Sequence, residues 1–237
     1  MSVLIYIAIV LFAIILVGWL GFRIRPRPFA PYPQRTPEME FVFLPADLPA
    51  PVARFLRMLY GEHIPVIKTV VIKGRATVRF GLKMPARFLF VHRAGYDYRH
   101  YFEVTWFGLP ILKVNESYLH GRSLFELPFG TQDNDASVNQ GANMALWAEA
   151  IWFPALWATD PRVRWQAIDA QTAVLFVPYE TEGKEENFIV RFDPDTGMFA
   201  GMEGMRCREA GQPDKKVLWL TRTVPGQTLP GSPLNAS

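Results

Sequence analysis

Two histidines and one glutamate are the residues whose types and positions in this sequence best suit chemistry. His92 and His100 lie in neighbouring segments of alternating hydrophobicity, and Glu149 interrupts the apolar run MALWAEAIWFPALWA. Histidine titrates near neutral pH and a carboxylate can accept a proton, so Glu149 and His100 are candidate catalytic residues if the fold brings them together. The two histidines could instead bind a metal ion or a polar ligand, or be core residues satisfied by hydrogen bonds.

The glutamate lies in a long helix that the sequence predicts over residues 137–157. At 100° per residue, Glu149 turns away from the polar face of this helix and toward its apolar side. The polar face is formed by three residues, Asn139, Gln140 and Asn143. Such a carboxylate either sits at the edge of the buried face, tied to an arginine or to backbone N–H groups, or lies in a cavity with a raised pKa and binds a ligand or transfers a proton.

A predicted hairpin carries the histidines, with strands over residues 85–92 and 96–106 around the turn Arg93-Ala94-Gly95. With a three-residue loop, His92 opposes Tyr98 and His100 opposes Phe90, whereas another loop length moves His92 to the other face. The predicted ligand-binding residues combine this strand face with the helix: Glu149, Trp152, His100, His92, Tyr98, Phe102 and Trp106.

Other chemical motifs are weaker. Glu116, Tyr118 and His120 alternate onto one strand face as an acid–base cluster or a solvated edge, and Asp133 and Asp135 lie in the polar loop FGTQDND. No Gly-rich phosphate loop, G-x-S-x-G elbow or His-Glu-x-x-His motif is present. A single cysteine excludes an intramolecular disulfide framework and a multi-cysteine zinc site. The sequence therefore carries no motif for a cofactor or a metal.

The elements that must position these residues predict an α+β domain. Turn signals separate about ten strands, and helices are predicted over residues 50–60 and 137–157, the second kinked or ended at Pro154. An antiparallel sheet with one apolar face has to cover that face. We therefore expect a curled antiparallel sheet wrapped over the long hydrophobic helix.

The N-terminal segment is predicted to be a transmembrane anchor. No charged side chain occurs before Arg23, and about 20 helical residues span the ~30 Å hydrocarbon core. A cleaved signal peptide would have a basic start and a shorter apolar run. The predicted organisation is an anchor, a Pro/Arg-rich linker, a soluble domain and a disordered tail, over residues 1–23, 24–40, 41–224 and 225–237.

The charge distribution places the domain near a membrane rather than on nucleic acid. The first 40 residues hold four arginines and two glutamates, so the remaining chain has 21 basic and 20 acidic side chains. The domain is thus nearly neutral, and no nucleic-acid partner is expected. Arginines that follow the apolar helix suit anionic lipid headgroups, and they predict that the domain lies on the cytoplasmic side of the cell membrane.

Several short motifs resemble an uncharacterised bacterial family defined by a membrane-anchored domain of unknown function. They are NESYLHG at 115–121, WAEAIWFP at 147–154, VRWQAIDA at 163–170, FDPDTG at 192–197 and PAPVARFL at 49–56. The resemblance implies a fold and no established activity. By analogy, the domain is similar to lipoprotein-carrier-like half-barrels, which hold lipid beneath a curled sheet.

These features favour a membrane-tethered domain that binds a lipid or another hydrophobic ligand in an apolar pocket. One alternative is a structural subunit of a membrane complex, with aromatic surface contacts to a membrane protein. The other is an enzyme that uses Glu149 and His100 as acid and base. The expected partners are membrane lipids and a hydrophobic small molecule or a membrane protein.

Overall fold

A computed structural model describes residues 2–31, 38–128, 130–179, 183–207 and 209–222 of the chain. Its helices are α1 (Ser2–Gly21), α2 (Ala50–Tyr60), α3 (Ala136–Ala148) and α4 (Leu156–Thr159), with a 3-10 turn (Glu149–Trp152) between the last two. Its strands are β1 (Phe41–Phe43), β2 (His63–Pro65), β3 (Thr69–Phe80), β4 (Leu82–Arg93), β5 (Asp97–Trp106), β6 (Leu109–Leu119), β7 (Arg122–Leu127), β8 (Gly130–Asp133), β9 (Arg164–Ala167), β10 (Thr172–Tyr179), β11 (Lys184–Phe192), β12 (Phe199–Cys207) and β13 (Lys216–Arg222). The predicted tail over 225–237 lies outside the described residues.

The α+β class with an N-terminal apolar helix is confirmed. The strands form three antiparallel sheets: β1-β2, the six-stranded order β3-β4-β5-β6-β7-β8 and the five-stranded order β13-β12-β11-β10-β9. None of the three closes into a barrel. Helix α3 packs against β12 of one large sheet and against β6 and β7 of the other. Two antiparallel sheets, rather than one curled sheet, therefore pack on the long helix. The chain completes the first sheet with β8, forms α3 and then builds the second sheet.

The six-stranded sheet presents one face to α3, which we call the inner face. Its register arranges the inner side chains in rows that cross the strands. The first row is Val70, His92, Tyr98, Tyr118 and Ser123. The second row is Ile72, Phe90, His100, Glu116 and Phe125. The third row is Gly74, Phe88, Phe102 and Val114, and the fourth is Ala76, Ala86, Val104 and Leu112.

The hairpin register predicted from a three-residue loop is confirmed. His92 pairs with Tyr98 and Phe90 pairs with His100. Gly95 in the turn has a φ of 74°, a conformation that glycine adopts without the steric cost of a Cβ atom. The loop length therefore fixes which face both histidines occupy, as a strand's side-chain period of two requires.

The polar face predicted for the long helix is buried between the two large sheets. Asn139, Gln140 and Asn143 are each at most 4% exposed. Asn139 accepts hydrogen bonds from the backbone N–H and the hydroxyl of Ser123, both at 2.7 Å. Asn143 donates to the carbonyl oxygen of Pro178 at 3.1 Å. These amides satisfy backbone and side-chain groups that would otherwise be buried without partners.

The predicted long helix breaks before its proline. Helix α3 ends at Ala148, and Phe153 adopts φ −145° and ψ 62°, as expected because a proline disfavours the helical region for the residue before it. Glu149 is the C-cap residue of α3 and the first residue of the 3-10 turn. Its φ of −69° and ψ of −15° are helical and its backbone N–H donates to the carbonyl oxygen of Ala145, so its side chain keeps the direction that the 100° spacing predicts.

The N-terminus of α3 is capped by Asp135, which accepts hydrogen bonds from the backbone N–H groups of Ser137 at 2.9 Å and Val138 at 3.1 Å. Gly211 also donates its N–H to this carboxylate at 2.9 Å. Burial raises the pKa of Asp135, but the three backbone N–H groups together hold it below its ordinary value.

We expect Asp135→Ala to lower the free energy of unfolding by about 1–2 kcal/mol at neutral pH, because an N-cap is lost. Since the pKa is lowered in the folded state, the stabilisation is present above the ordinary aspartate value and is lost as pH falls through the folded value. The difference from wild type should therefore shrink below about pH 4. Urea unfolding of the detergent-solubilised protein measures it, with the exposed Asp133→Ala as control. An equal loss in both variants would contradict the capping role.

Helix α1 is apolar, and most of its side chains are exposed. It is long and apolar enough to be a membrane span or a signal sequence. The β5–β6 turn of the six-stranded sheet contacts the C-terminal end of this helix. Trp106 donates its indole N–H to the carbonyl oxygen of Gly18 at 3.1 Å, and Phe107 donates its backbone N–H to Gly21 at 2.9 Å. A Cβ atom at Gly21 would lie 2.0 Å from the Trp106 indole nitrogen, so only glycine permits this approach.

Candidate functional site

His92, His100 and Glu149 converge where the inner face meets the end of α3. The Nε2 atoms of His100 and His92 lie 2.9 Å and 3.3 Å from Oε2 of Glu149. The side chains of His92 and His100 are 0% and 3% exposed, and that of Glu149 is 20% exposed. The two imidazoles are therefore almost dry, whereas the Glu149 side chain as a whole is partly exposed.

Three elements supply these side chains. The hairpin of β4 and β5 places His92 in the first row and His100 in the second row of the inner face. Helix α3 covers the first row, where Tyr118 of β6 donates its hydroxyl to Asn143 at 3.3 Å. Glu149, the C-cap residue of α3, contacts His92 of the first row and His100 of the second row.

Aromatic rings fix the orientation of the His100 imidazole. The rings of Phe90 and Tyr98 stack against it, with centroid distances of 3.9 Å and 4.0 Å. His92 contacts Phe153, which follows the 3-10 turn, at 5.4 Å. These rings hold the imidazoles in fixed planes, because rotation would break close packing on both sides.

The contacts to Glu149 are close but poorly aligned for hydrogen bonding. Among the described residues, Nδ1 and Nε2 of His92, Nε2 of His100 and Oε2 of Glu149 are buried and have no hydrogen-bond partner with acceptable geometry. The 2.9 Å and 3.3 Å separations are therefore electrostatic contacts in which the ring N–H bonds do not point at the oxygen. Two nitrogens thus lie close to one carboxylate oxygen without a hydrogen bond to it.

A second carboxylate, Glu116, lies behind His100. It directly opposes His100 across β5 and β6, and its Oε2 is 3.8 Å from Nδ1 of His100. Tyr98 donates its hydroxyl to the other oxygen of Glu116 at 2.6 Å. His100 thus lies between two carboxylates, Glu149 on one ring nitrogen and Glu116 near the other.

The predicted cluster of Glu116, Tyr118 and His120 is divided in the fold. Tyr118 contacts α3, and His120 is exposed in a turn with φ 50°. Sequence reasoning did not place Glu116 beside His100, because that requires the register of β6 on β5. The available signal was that both strands alternate and are joined by a short turn at Phe107 and Gly108. That turn alone would place Asn115 opposite His100, and the register shift between Val104 and Thr105 brings Glu116 there instead.

The pKa of Glu149 is lowered, so the raised pKa predicted for a cavity carboxylate is wrong. Burial raises it, but the contacts with His100 and His92 together outweigh burial. For His100, burial lowers the pKa, and Glu116 and Glu149 together raise it above the ordinary value. The pair therefore favours a charged carboxylate beside a protonated imidazole when no other group binds.

The sequence-predicted site residues are partly brought together. Phe102 lies in the third row, with its ring centroid 4.9 Å from that of Phe90, and Trp152 lies 6.1 Å from Phe90. Trp106 is six residues beyond His100 along β5, or about 20 Å. It contacts α1 at Gly18 and does not lie beside the histidines. The ligand-binding roles of all these residues, Trp106 included, remain predictions.

The arrangement offers three kinds of chemistry. Glu149 and His100 could exchange a proton, the polar groups could bind the head of an amphiphilic molecule, and the three converging ligand atoms could bind a metal ion. The fold alone does not choose among them, because function depends on the site.

Residues 43–231 match DUF6544, a family of unknown function. The chain belongs to this family. The membership predicted from short motifs, in a family defined by a domain of unknown function, is therefore confirmed. No curated protein and no solved structure matches the chain significantly. Since DUF6544 carries no established activity, the function has to be argued from the site.

Proposed function

We propose that this protein is a membrane-tethered domain that binds an amphiphilic molecule on the inner face of its six-stranded sheet. The observation that carries the proposal is the abrupt change of polarity along that face. His100 and Glu116 occupy the second row, whereas the third and fourth rows contain only apolar side chains and glycine. A ligand with a polar head and an apolar tail matches this order.

The apolar rows have side chains that the protein itself does not fully cover. Phe88, Phe102, Val114 and Leu112 are each half-buried, whereas the first row beneath α3 is largely buried. Adjacent rows are two residues apart, or about 7 Å. The second row is therefore about 20 Å from the Val78–Met84 pair at the far end of the face, which exceeds half the ~30 Å hydrocarbon core of a bilayer.

The apolar end of the face points toward the end of the domain that contacts α1. The β5–β6 turn, which holds Phe107, contacts α1 at Gly21. A cleft of about 770 Å³ between α1 and the β3–β4 hairpin is lined by Trp19, Arg23, Arg25 and Lys83, among other residues. A tryptophan with nearby cations is typical of the membrane interface. In this proposal α1 remains as a single-pass anchor, with the domain on the cytoplasmic side.

Native mass spectrometry of the detergent-extracted full chain tests the proposal. We expect a co-purified amphiphile, and the intact mass to include the uncleaved α1. Replacing Val114 with glutamine should remove most of the bound ligand, because it places an amide in the middle of the third row. Lys113→Gln is the matched control: it changes the next residue of β6, which is exposed and faces outward, and should retain the ligand.

Two outcomes would overturn the proposal. One is a wild-type protein that carries no amphiphile and exchanges no labelled fatty acid or phospholipid. The other is equal ligand retention by Val114→Gln and Lys113→Gln at unchanged thermal stability. A protein that co-purifies in place of a small molecule would instead support the structural-subunit alternative.

An enzyme is the second candidate, because Nε2 of His100 lies 2.9 Å from Oε2 of Glu149 and the Glu149 side chain is 20% exposed. This distance suits proton transfer through a reacting group. The same mass spectra distinguish it from simple binding. If the protein converts its ligand, Glu149→Gln should carry a molecule of different mass from that in wild type, whereas a binding protein should carry the same molecule.

A further inference from the structure

We propose that His92, His100 and Glu149 form a binding site for a divalent first-row transition metal ion, with Zn²⁺ as the reference ion. The site does not require the amphiphile of the proposed function. It uses one nitrogen from each histidine and one oxygen from Glu149, which leaves at least one coordination position for water or a ligand.

The distances fit three ligands around one small ion. Zn²⁺ binds histidine nitrogen and carboxylate oxygen at about 2.0–2.2 Å, so ligands at tetrahedral angles are about 3.3–3.6 Å apart. Here the two contacts to Oε2 of Glu149 are 2.9 Å and 3.3 Å. The three ligand atoms all lie within 4.8 Å of one another. Sub-ångström shifts of side chains would admit the ion.

The lack of hydrogen-bond partners for the buried histidine nitrogens supports a bound ion more strongly than the distances do. His92 is fully buried, yet neither of its ring nitrogens has a hydrogen-bond partner among the described residues. A buried polar atom without a partner is rare and unfavourable. A simple histidine–carboxylate pair would align an N–H bond with the oxygen, whereas here the three ligand atoms lie within 4.8 Å of one another without such a bond.

The charge of the cluster also favours a cation. No lysine or arginine pairs with Glu149 in the described part of the chain; its ion-pair contacts are the two histidines. Glu116 adds a second carboxylate 3.8 Å from His100. Two neutral imidazoles and two carboxylates would balance the charge of one divalent ion.

Glu116 further resembles the outer partner that metal-bound histidines commonly have. A ligating histidine usually presents its other ring N–H to a carboxylate, which fixes the ring and strengthens the metal–nitrogen bond. Nδ1 of His100 faces Glu116, which the hydroxyl of Tyr98 holds at 2.6 Å. The stacked rings of Phe90 and Tyr98 fix the same imidazole plane.

The ligand types narrow the class of metal. Two nitrogens and one oxygen suit Zn²⁺, Fe²⁺, Mn²⁺ or Co²⁺, whereas Ca²⁺ and Mg²⁺ prefer oxygen ligands and soft ions prefer sulfur. A site with three protein ligands and an open position matches exchangeable or catalytic zinc sites rather than closed structural ones.

Metal uptake by the full-length, detergent-solubilised protein without a histidine tag tests the proposal. After chelator treatment and its removal, we expect one equivalent of Zn²⁺ per chain by elemental analysis. Co²⁺ should give the visible absorption of a low-coordinate nitrogen–oxygen site. His92→Gln, His100→Gln and Glu149→Gln should each abolish stoichiometric binding, and Glu116→Gln should weaken it by about 10–100-fold.

The chain contains its own matched controls, because it has four histidines and the other two, His63 and His120, are exposed. His63→Gln and His120→Gln should retain one equivalent. Circular dichroism and melting temperature identify a variant that fails to fold, and the Co²⁺ spectrum of Glu116→Gln then still reports on the site.

The proposal is overturned if the wild type binds no stoichiometric Zn²⁺, or if the control variants lose as much metal as His92→Gln does. Val114→Gln separates it from amphiphile binding. That variant should lose the amphiphile and keep the metal, so either proposal can fail alone.

Discussion

Replacing Trp147 with alanine is expected to lower the free energy of unfolding by about 3–5 kcal/mol, a large part of the 5–15 kcal/mol that stabilises a typical domain. Trp147 is 0% exposed and lies in α3, two residues before Glu149. Its carbonyl oxygen accepts the indole N–H of Trp157 at 3.2 Å. Truncation would leave a large cavity between the sheets and loosen the segment that positions Glu149.

Thermal unfolding in detergent measures this effect as a decrease of about 6–20 °C in melting temperature for a domain of this size. Trp219→Ala is the matched control, since Trp219 is half-buried on the terminal strand β13 and is stacked by Arg206 at 5.0 Å. The control should lose less than half as much stability. Equal losses would show that α3 is not the centre of the core.

Replacing Gln140 with methionine is expected to destabilise the fold by about 2–4 kcal/mol without creating a cavity, because a buried backbone N–H and a partly buried backbone carbonyl lose their partner. Strand β11 pairs with residues 199–203 of β12. Farther along β12, the side chain of Gln140 is the hydrogen-bond partner of the backbone at Met205 and Cys207. It accepts the N–H of Cys207 at 2.8 Å and donates to the carbonyl oxygen of Met205 at 3.0 Å. A helix side chain thus replaces a strand partner.

Urea unfolding and amide hydrogen exchange at Cys207 check this role of Gln140. The exchange of the Cys207 amide should accelerate in Gln140→Met beyond the change in global stability. Gln166→Met, on the exposed surface of β9, should stay within about 0.5 kcal/mol of wild type. Unchanged protection of Cys207 would mean that the helix amide does not support β12.

Much of the fold could be predicted from the sequence, because the relevant signals are local. The alternation of residues 96–106 and the loop of the hairpin are properties of one short segment, and they place His92 opposite Tyr98 and His100 opposite Phe90. The uncharged stretch before Arg23 is also a local signal: it predicts an apolar helix, and the structure has α1 there. Side-chain period and chain length are sufficient for such statements.

The candidate site could be predicted only as separate parts. Whether Glu149 meets the histidines depends on where α3 ends and on how it crosses the sheet, and the pairing of Glu116 with His100 depends on the register of β6 on β5. The polar face of α3 was recognisable in the sequence, but its burial follows from two sheets that enclose it. Trp106 was assigned by alternation alone, and the contact with α1 determines its position.

The sequence by itself therefore determined the α+β class, the apolar N-terminal helix, the family and the face on which the histidines lie. The tertiary structure alone decided that His92, His100, Glu149 and Glu116 share one site and that the pKa of Glu149 is lowered rather than raised. The physical reason is that periodicity and turn length act between residues close in the chain. The charge and burial around Glu149 depend on side chains 49 and 57 positions away, which only packing brings within a few ångströms.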